Sequence, residues 1–301
     1  VDSGFDALAQ QQEQILHRRQ LRALRVTRSR TVAQLRAGRW RAIGPLTIAL
    51  HNGPLTTEQA RWAALLTAGP RAAIGARTAL QMAGLKNWEW PRIQVLVPPG
   101  RRVPYIPEVA IEVHPTRRVE DYRFALIGAP RRTNVERSAL DAASWSDSLR
   151  ACAGILAAVV QQRLTTAGRL LDALDKGGPI RHRRFMQQIL DDIAGGAHAL
   201  AEIDIGRLCR GEGLHVTARQ SLRLDAQGRR RYLDGVVTGP NGKQVAFEVD
   251  GGLHLAVSSY WDDMMRANEL LIVGVGQLRF PSYAVRAEGP IVVDQFRRAL
   301  E

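Results

Sequence analysis

Residues 5 to 18 place Leu8, Ile15 and Leu16 among glutamines, a spacing that predicts one amphipathic helix. A second short helix fits Arg19 to Leu24. Thr27 then stands as an N-cap ahead of a helix from Arg28 to Ala37, ended by Gly38, with Val32 and Leu35 turned inward. Trp40 to Leu50 suits two strands turning at Gly44-Pro45, a wing beside the helix pair. From Leu55 to Gly195 the short strands Ile93 to Val97 and Val109 to Val113 give way to helices: Asn134 to Ala143, Ser148 to Leu164, Ala167 to Leu174 and His182 to Ile193. After Gly195-Gly196 an amphipathic helix, Ala197 to Arg210, leads into strand patterns at Gln220 to Leu224, Arg231 to Val237 and Gln244 to Asp250. Along the last, Val245, Phe247 and Val249 share one face, and Glu248 and Asp250 share the other.

At 301 residues the chain exceeds what one core usually covers. The expected fold is α/β and multidomain: a winged helix-turn-helix over 1–54, a mixed α/β then helical middle region over 55–195, and a restriction-endonuclease-like α/β domain over 196–301. Lys and Arg outnumber Asp and Glu by 42 to 29, giving a net charge of +13 and a field that attracts polyanions. Nine arginines from Arg18 to Arg41 lie between Glu13 and Glu58 with no acid among them, a pattern suited to phosphate. On the third helix Arg28, Arg30, Thr31, Gln34 and Arg36 supply groups that can reach phosphates or base edges, and Arg39 and Arg41 continue the patch into the wing. Double-stranded DNA is the expected partner.

Cys152 and Cys209 sit inside apolar helical patterns, which excludes a disulfide framework or a cysteine-rich zinc site. Val1-Asp2-Ser3-Gly4-Phe5 carries no signal pattern, and runs such as Ile155 to Val160 are too short to span a bilayer, so a cytoplasmic location with no membrane partner is expected. His51, His114, His182 and His198 share no metal-ligand spacing and read as isolated residues; Glu136, Arg137 and Asp141 read as an ion-pair set on one helix face.

The segment Gln20 to Leu50, with Arg36-Ala37-Gly38-Arg39-Trp40-Arg41 leading into the wing, resembles the N-terminal winged helix-turn-helix of AbiEi-type antitoxins. The order of elements over 55–175, with Thr133 to Ala143, looks like the central region of the same proteins. The resemblance implies DNA binding and allows a cognate toxin as partner; a homodimer would suit two DNA half-sites.

Asp234 on one strand can meet Glu248 and Asp250 on the next. Three unpaired carboxylates would repel and raise one another's pKa, so arginines or a hard cation, Mg²⁺ or Mn²⁺, should compensate them. The spacing resembles the PD-(D/E)XK nuclease superfamily. More closely, Asp250-Gly251-Gly252-Leu253-His254, Asp263-Met264-Met265-Arg266-Ala267-Asn268 and Leu278-Arg279-Phe280 are similar to the domain family related to very short patch repair endonucleases. On that resemblance Asp234, Glu248 and Asp250 carry the metal, Glu202 adds a ligand or orients a water, and His254 stands near the phosphate. Asp263, Arg266 and Arg279 are supporting residues, as a surface ion pair or as groups that orient a carboxylate. Asp250 takes the place of the superfamily's lysine, which leaves the general base open. Two functions follow: a Mg²⁺-dependent endodeoxyribonuclease docked by its winged helix, or an AbiEi-like antitoxin or transcriptional regulator whose nuclease-like domain is inactive.

Overall fold

A computed structural model describes residues 3–117, 126–196, 204–210, 212–224, 230–250, 264–265, 268 and 277–301, with backbone alone at 3, 195–196, 217–224, 230–233 and 250. The chain is mixed α/β and divides into two compact units, Val1–Asp141 and Ala142–Glu301. Among the described residues no helix is long and apolar enough to cross a membrane.

The first unit opens with α1 (Ser3–Gln11), β1 (Ile15–His17), α2 (Arg18–Ala23), α3 (Arg28–Arg36), β2 (Arg41–Ala42) and β3 (Thr47–Ala49). The helix expected through residue 18 stops early, because Glu13 and Gln14 take left-handed backbone at φ 52° and 65°. Ile15 and Leu16 form a strand instead. Its alternation sends Ile15 into a cluster with Ala49 and Trp62, and Leu16 into another with Leu21, Val26 and Ile48. One helical face could not serve both clusters. β3 lies between β1 and β2 in an antiparallel sheet, with Ile48 opposite both Leu16 and Ala42.

Both helices of the pair are capped by the residue ahead of them. At α2 the His17 Nδ1 accepts from Arg19 N at 2.9 Å, while Gln20 Oε1 accepts from His17 N at 2.8 Å. At α3 the Thr27 hydroxyl accepts from Arg30 N at 3.1 Å.

The unit continues through α4 (Thr57–Ala68), β4 (Ala73–Ile74), α5 (Ala76–Met82), β5 (Ile93–Val97), β6 (Ile111–Pro115), β7 (Leu126–Ile127), β8 (Arg132–Thr133) and the start of α6 (Val135–Ser144). Its second sheet has the order β6-β5-β4-β8-β7. Trp62, Ala63, Ala64 and Leu65 of α4 are buried in one cluster with Ile15 and Ala49 on one side and Ile74, Val95 and Val97 on the other. That single helix joins both sheets into one core. On α6, Arg137 Nε lies 2.5 Å from Asp141 Oδ2, and both side chains are buried.

The second unit carries α7 (Leu149–Gln161), α8 (Ala167–Lys176) and α9 (Arg183–Asp191), then a π turn at Asp192–Gly196. A helix over 204–210, α10, precedes β9 (His215–Leu224), β10 (Arg230–Thr238), β11 (Gln244–Asp250) and β12 (Gln277–Pro281); α11 (Ser282–Ala287) and α12 (Gly289–Leu300) end the chain. The sheet order is β12-β11-β10-β9, antiparallel except for the parallel β11–β12 pair. Phe247 and Phe280 on its inner face meet Phe296 of α12 at ring-centroid distances of 5.7 and 5.1 Å. Val245, Phe247 and Val249, buried at alternate positions of β11, leave Glu248 on the opposite face. Cys152 and Cys209 are buried and unbridged, and burial pushes their thiols up to about 12 and about 11.

Candidate functional site

Two groups of polar residues present themselves, one in each unit. On α3 the positions 29, 30, 33, 36 and 37 are all exposed and, at about 100° per residue, fall on one side of the helix. Ser29, Ala33 and Ala37 are small and run down the middle; Arg30 and Arg36 flank them. Such a face lets a helix axis come close to a flat or grooved polyanion while the flanking guanidiniums reach outward. Arg28 is exposed at the first turn, and among the described residues Arg28, Arg30 and Arg36 make no ion pair.

The other predicted contacts on this face are already engaged. Thr31 is only 7% exposed and its hydroxyl donates to Thr27 O at 3.1 Å, so it serves the helix cap and offers nothing to a base edge. Arg41 is turned back into its own unit, paired with Glu108 and donating to Gly53 O at 2.9 Å. Arg39 donates through Nε to Gln34 Oε1 at 2.6 Å, which fixes both side chains relative to α3. A groove of about 850 Å³ between α2 and α3 extends the basic surface, with Arg18, Arg22, Arg25 and Arg28 around a floor of Leu21 and Val26.

In the second unit, Gly235 pairs with Phe247 across β10 and β11, a register that puts Asp234 opposite Glu248; Glu248 is in turn opposite Arg279 on β12. Residues opposite one another point to the same side of a sheet, so Asp234, Glu248 and Arg279 form one row across three strands. The row is internally bonded. Asp234 Oδ2 accepts from Val249 N at 2.6 Å, beyond the last ladder pair. Glu248 Oε2 accepts from Gln277 Nε2 at 3.0 Å and lies 3.3 Å from Arg279 Nε. Arg279 is itself held through its backbone: fully buried Asn268 accepts from Arg279 N at 3.0 Å and donates to Arg279 O at 2.9 Å, with a further bond to Gln295 at 2.7 Å. Asn268 thus substitutes for a neighbouring strand along β12.

Asp250 closes β11 opposite Pro281, with its side chain outside the described residues. Glu202, His254, Asp263 and Arg266 also lie outside the described residues. Among the described residues no three His, Cys, Asp or Glu side chains gather where a metal ion could be held. Of the predicted carboxylates, Asp234 and Glu248 are the two whose side chains are described, and they share a face.

A further constellation went unread in the sequence. Glu112 on β6 accepts from Trp90 Nε1 at 2.8 Å and from Gln94 Nε2 at 3.1 Å, and bonds His114 Nε2 at 2.6 Å; Arg77 covers the Trp90 ring at 4.1 Å. His114 is therefore a partner of Glu112 and not an isolated residue. Burial raises the Glu112 carboxyl, but its bonds to Gln94, Trp90 and His114 outweigh this and hold it below the usual carboxylate range. Glu112 and His114 are two apart on a strand, a same-face signal that was legible; Trp90 and Gln94 reach them only through the β5–β6 pairing. Comparison with models of known protein families gives no match, and no curated protein matches the chain.

Proposed function

We propose that this protein binds double-stranded DNA through a winged helix formed by α1–α3 and β1–β3. The order helix, strand, helix, helix, strand, strand closed by a three-stranded antiparallel sheet is the layout of such a module. The observation that carries the reading is the exposed face of α3, small residues flanked by Arg30 and Arg36 with no carboxylate among the described residues to neutralise them. Fluorescence anisotropy on a duplex over a range of salt tests it. Arg30→Ala with Arg36→Ala should weaken binding and shrink the slope of log K against log salt by about 2, near one for each phosphate no longer neutralised. A salt profile identical to wild type would sink the assignment.

For the second unit we propose a restriction-endonuclease-like domain in which Asp234 and Glu248, with Asp250, face a divalent cation. The helix α10, three antiparallel strands and a fourth strand parallel to the third support this, as do oxygen-only donors suited to Mg²⁺ or Mn²⁺. Such a cation, when bound, lowers the pKa of a water and stabilises the leaving oxygen of a phosphodiester. The chain's own part is to aim the carboxylates: Val249 N–H fixes Asp234, and Gln277 with Arg279 fixes Glu248.

Those same bonds favour a second reading, in which the row is charge-compensated by Arg279 and acts as a scaffold in a regulator of the antitoxin kind. Supercoiled, linear and mismatched DNA incubated with Mg²⁺ or Mn²⁺ separates the two. Cleavage by the wild type that Glu248→Ala abolishes supports the nuclease; no metal-dependent cleavage of any substrate, with DNA binding intact, supports the regulator. Glu248 is the cleaner probe, because removing the Asp234 carboxylate also strips the Val249 N–H of its acceptor.

A further inference from the structure

Within the first unit a cleft of about 560 Å³ opens between the start of α2 and the end of α4. That volume falls within the roughly 300–1,000 Å³ typical of small-molecule sites. Its walls are apolar, with Leu46, Leu65, Leu66, Pro70 and Pro104 turned into it. Among the described residues its charged lining is arginine, Arg19, Arg101, Arg102 and Arg131, with no Asp or Glu.

The four arginines fall into two kinds. Arg101 donates through Nε to Ala68 O at 2.8 Å, and Arg131 donates through Nε to Ala72 O at 3.0 Å, so both guanidiniums are tied to the carbonyls at and beyond the end of α4. Their positive charge is fixed in place before any ligand arrives, which removes the entropy cost of ordering two long side chains. Gly69 suits this junction: its φ of +111° favours glycine, and a Cβ there would stand 3.0 Å from Arg101 Nη2 and crowd the guanidinium. Arg19 and Arg102 are exposed at the rim, and among the described residues neither makes an ion pair. His17 lines the same cleft, and burial followed by the charges of Arg19 and Arg101 pushes it below the ordinary histidine range.

Fixed cations beside an apolar pocket select one kind of molecule. A phosphate of a DNA backbone would use the arginines and leave the leucines exposed; a neutral lipid would do the reverse. We infer that this cleft is a binding site for a small amphipathic anion, a carboxylate or sulfonate head on an apolar body, with the head contacted by Arg19 and Arg102 in the standing positive field of Arg101 and Arg131, and the body against Leu46, Leu65 and Leu66. The inference stands independently of the DNA-binding and nuclease readings.

Isothermal titration of the full chain with decanoate, decanol and acetate tests it. Decanoate should bind at one site, with acetate giving no saturable heat and decanol binding at least about tenfold more weakly, the value of one charge-assisted contact. Arg19→Glu with Arg102→Glu, both at exposed positions where the fold is not at stake, should weaken decanoate by at least about tenfold, on the same basis. Leu66→Trp should abolish binding by filling the cleft. Absence of saturable decanoate binding to the wild type, equal affinity for decanol, or unchanged affinity in the double arginine variant would each overturn the assignment.

Discussion

The arginines along α2 and α3 do different work from the paired arginines of the second unit. Along α2 and α3 the exposed residues Arg19, Arg22, Arg25, Arg28, Arg30 and Arg36 form no ion pair among the described residues. In the second unit Arg279 faces Glu248, Arg286 faces Asp192 and Asp204, Arg297 faces Glu212 and Arg298 faces Asp294. A basic side chain with a carboxylate beside it is part of the fold; one without is available to an external anion. The arginines along α2 and α3 are therefore a part of the net charge of +13 that stands open to an external anion, which the sequence total alone cannot locate.

The most severe way to break this contrast is to remove Arg286. Its side chain is 6% exposed, donates through Nε to Asp204 Oδ2 at 2.8 Å, and pairs with Asp192, whose side chain is fully buried. Burial, with a smaller push from the Asp204 charge, raises the Asp192 carboxyl, and Arg286 with Ser282 only partly offsets it, while Asp204 and Asp192 together more than offset the effect of burial on Arg286. Arg286→Met would leave the buried Asp192 without its cation and Asp204 with only Arg207 at 3.9 Å, and should cost about 3–5 kcal/mol in denaturant unfolding. Arg30→Ala should change stability by no more than about 0.5 kcal/mol. Equal losses in the two variants would erase the distinction between structural and available arginines.

A smaller effect should follow from Asn268, which tests how Arg279 is placed. Because Asn268 satisfies both backbone groups of Arg279 along β12, Asn268→Ala removes the partners of a part-buried N–H and C=O and should destabilise by roughly 1–3 kcal/mol. Hydrogen exchange at the Arg279 amide should accelerate beyond that of the Phe247 amide on the neighbouring strand. Unchanged protection at Arg279 would mean that the pairing with β11 alone holds the strand.

How much of this could be read in advance depends on the range of the interactions. Local signals were legible: Thr27 ahead of α3 needs only the three residues after it, and the alternation along β11 needs only seven. The row Asp234, Glu248, Arg279 was half legible, since the two carboxylates flank a short turn while Arg279 arrives from a strand about 30 residues on. Ile15 and Leu16 misled because two adjacent apolar residues fit a helix or a strand equally well until the two clusters they serve are known. Thr31 and Arg41 looked available because side-chain exposure is a tertiary property: the first is consumed by its own helix cap, the second by Glu108, which lies 67 residues away. His114 needed only one more step, noticing Glu112 two positions before it on a strand.

The smallest and most discriminating effect lies at His17, where the outward-facing arginines act on their own unit. His17 Nδ1 caps α2 and so must be unprotonated, and its pKa is lowered first by burial and then by Arg19, Arg101, Arg22 and Arg18. A base whose folded pKa lies below its unfolded value contributes its full stability above the unfolded value, near 6.5, because it is neutral in both states there. As pH falls below that point the unfolded chain takes up the proton first, and this contribution is lost until the folded pKa is passed. His17→Asn keeps an acceptor that caps well but carries no titrating proton. Between about pH 7.5 and about pH 5.5 the stability of the wild type should therefore decline relative to the variant, and the difference between the two isolates His17 from every other titrating group. Raising the salt concentration should narrow that difference, since the arginine contribution is screened while the burial contribution is not. Parallel pH profiles for the two proteins would show that neither burial nor the basic field around α2 acts on the cap.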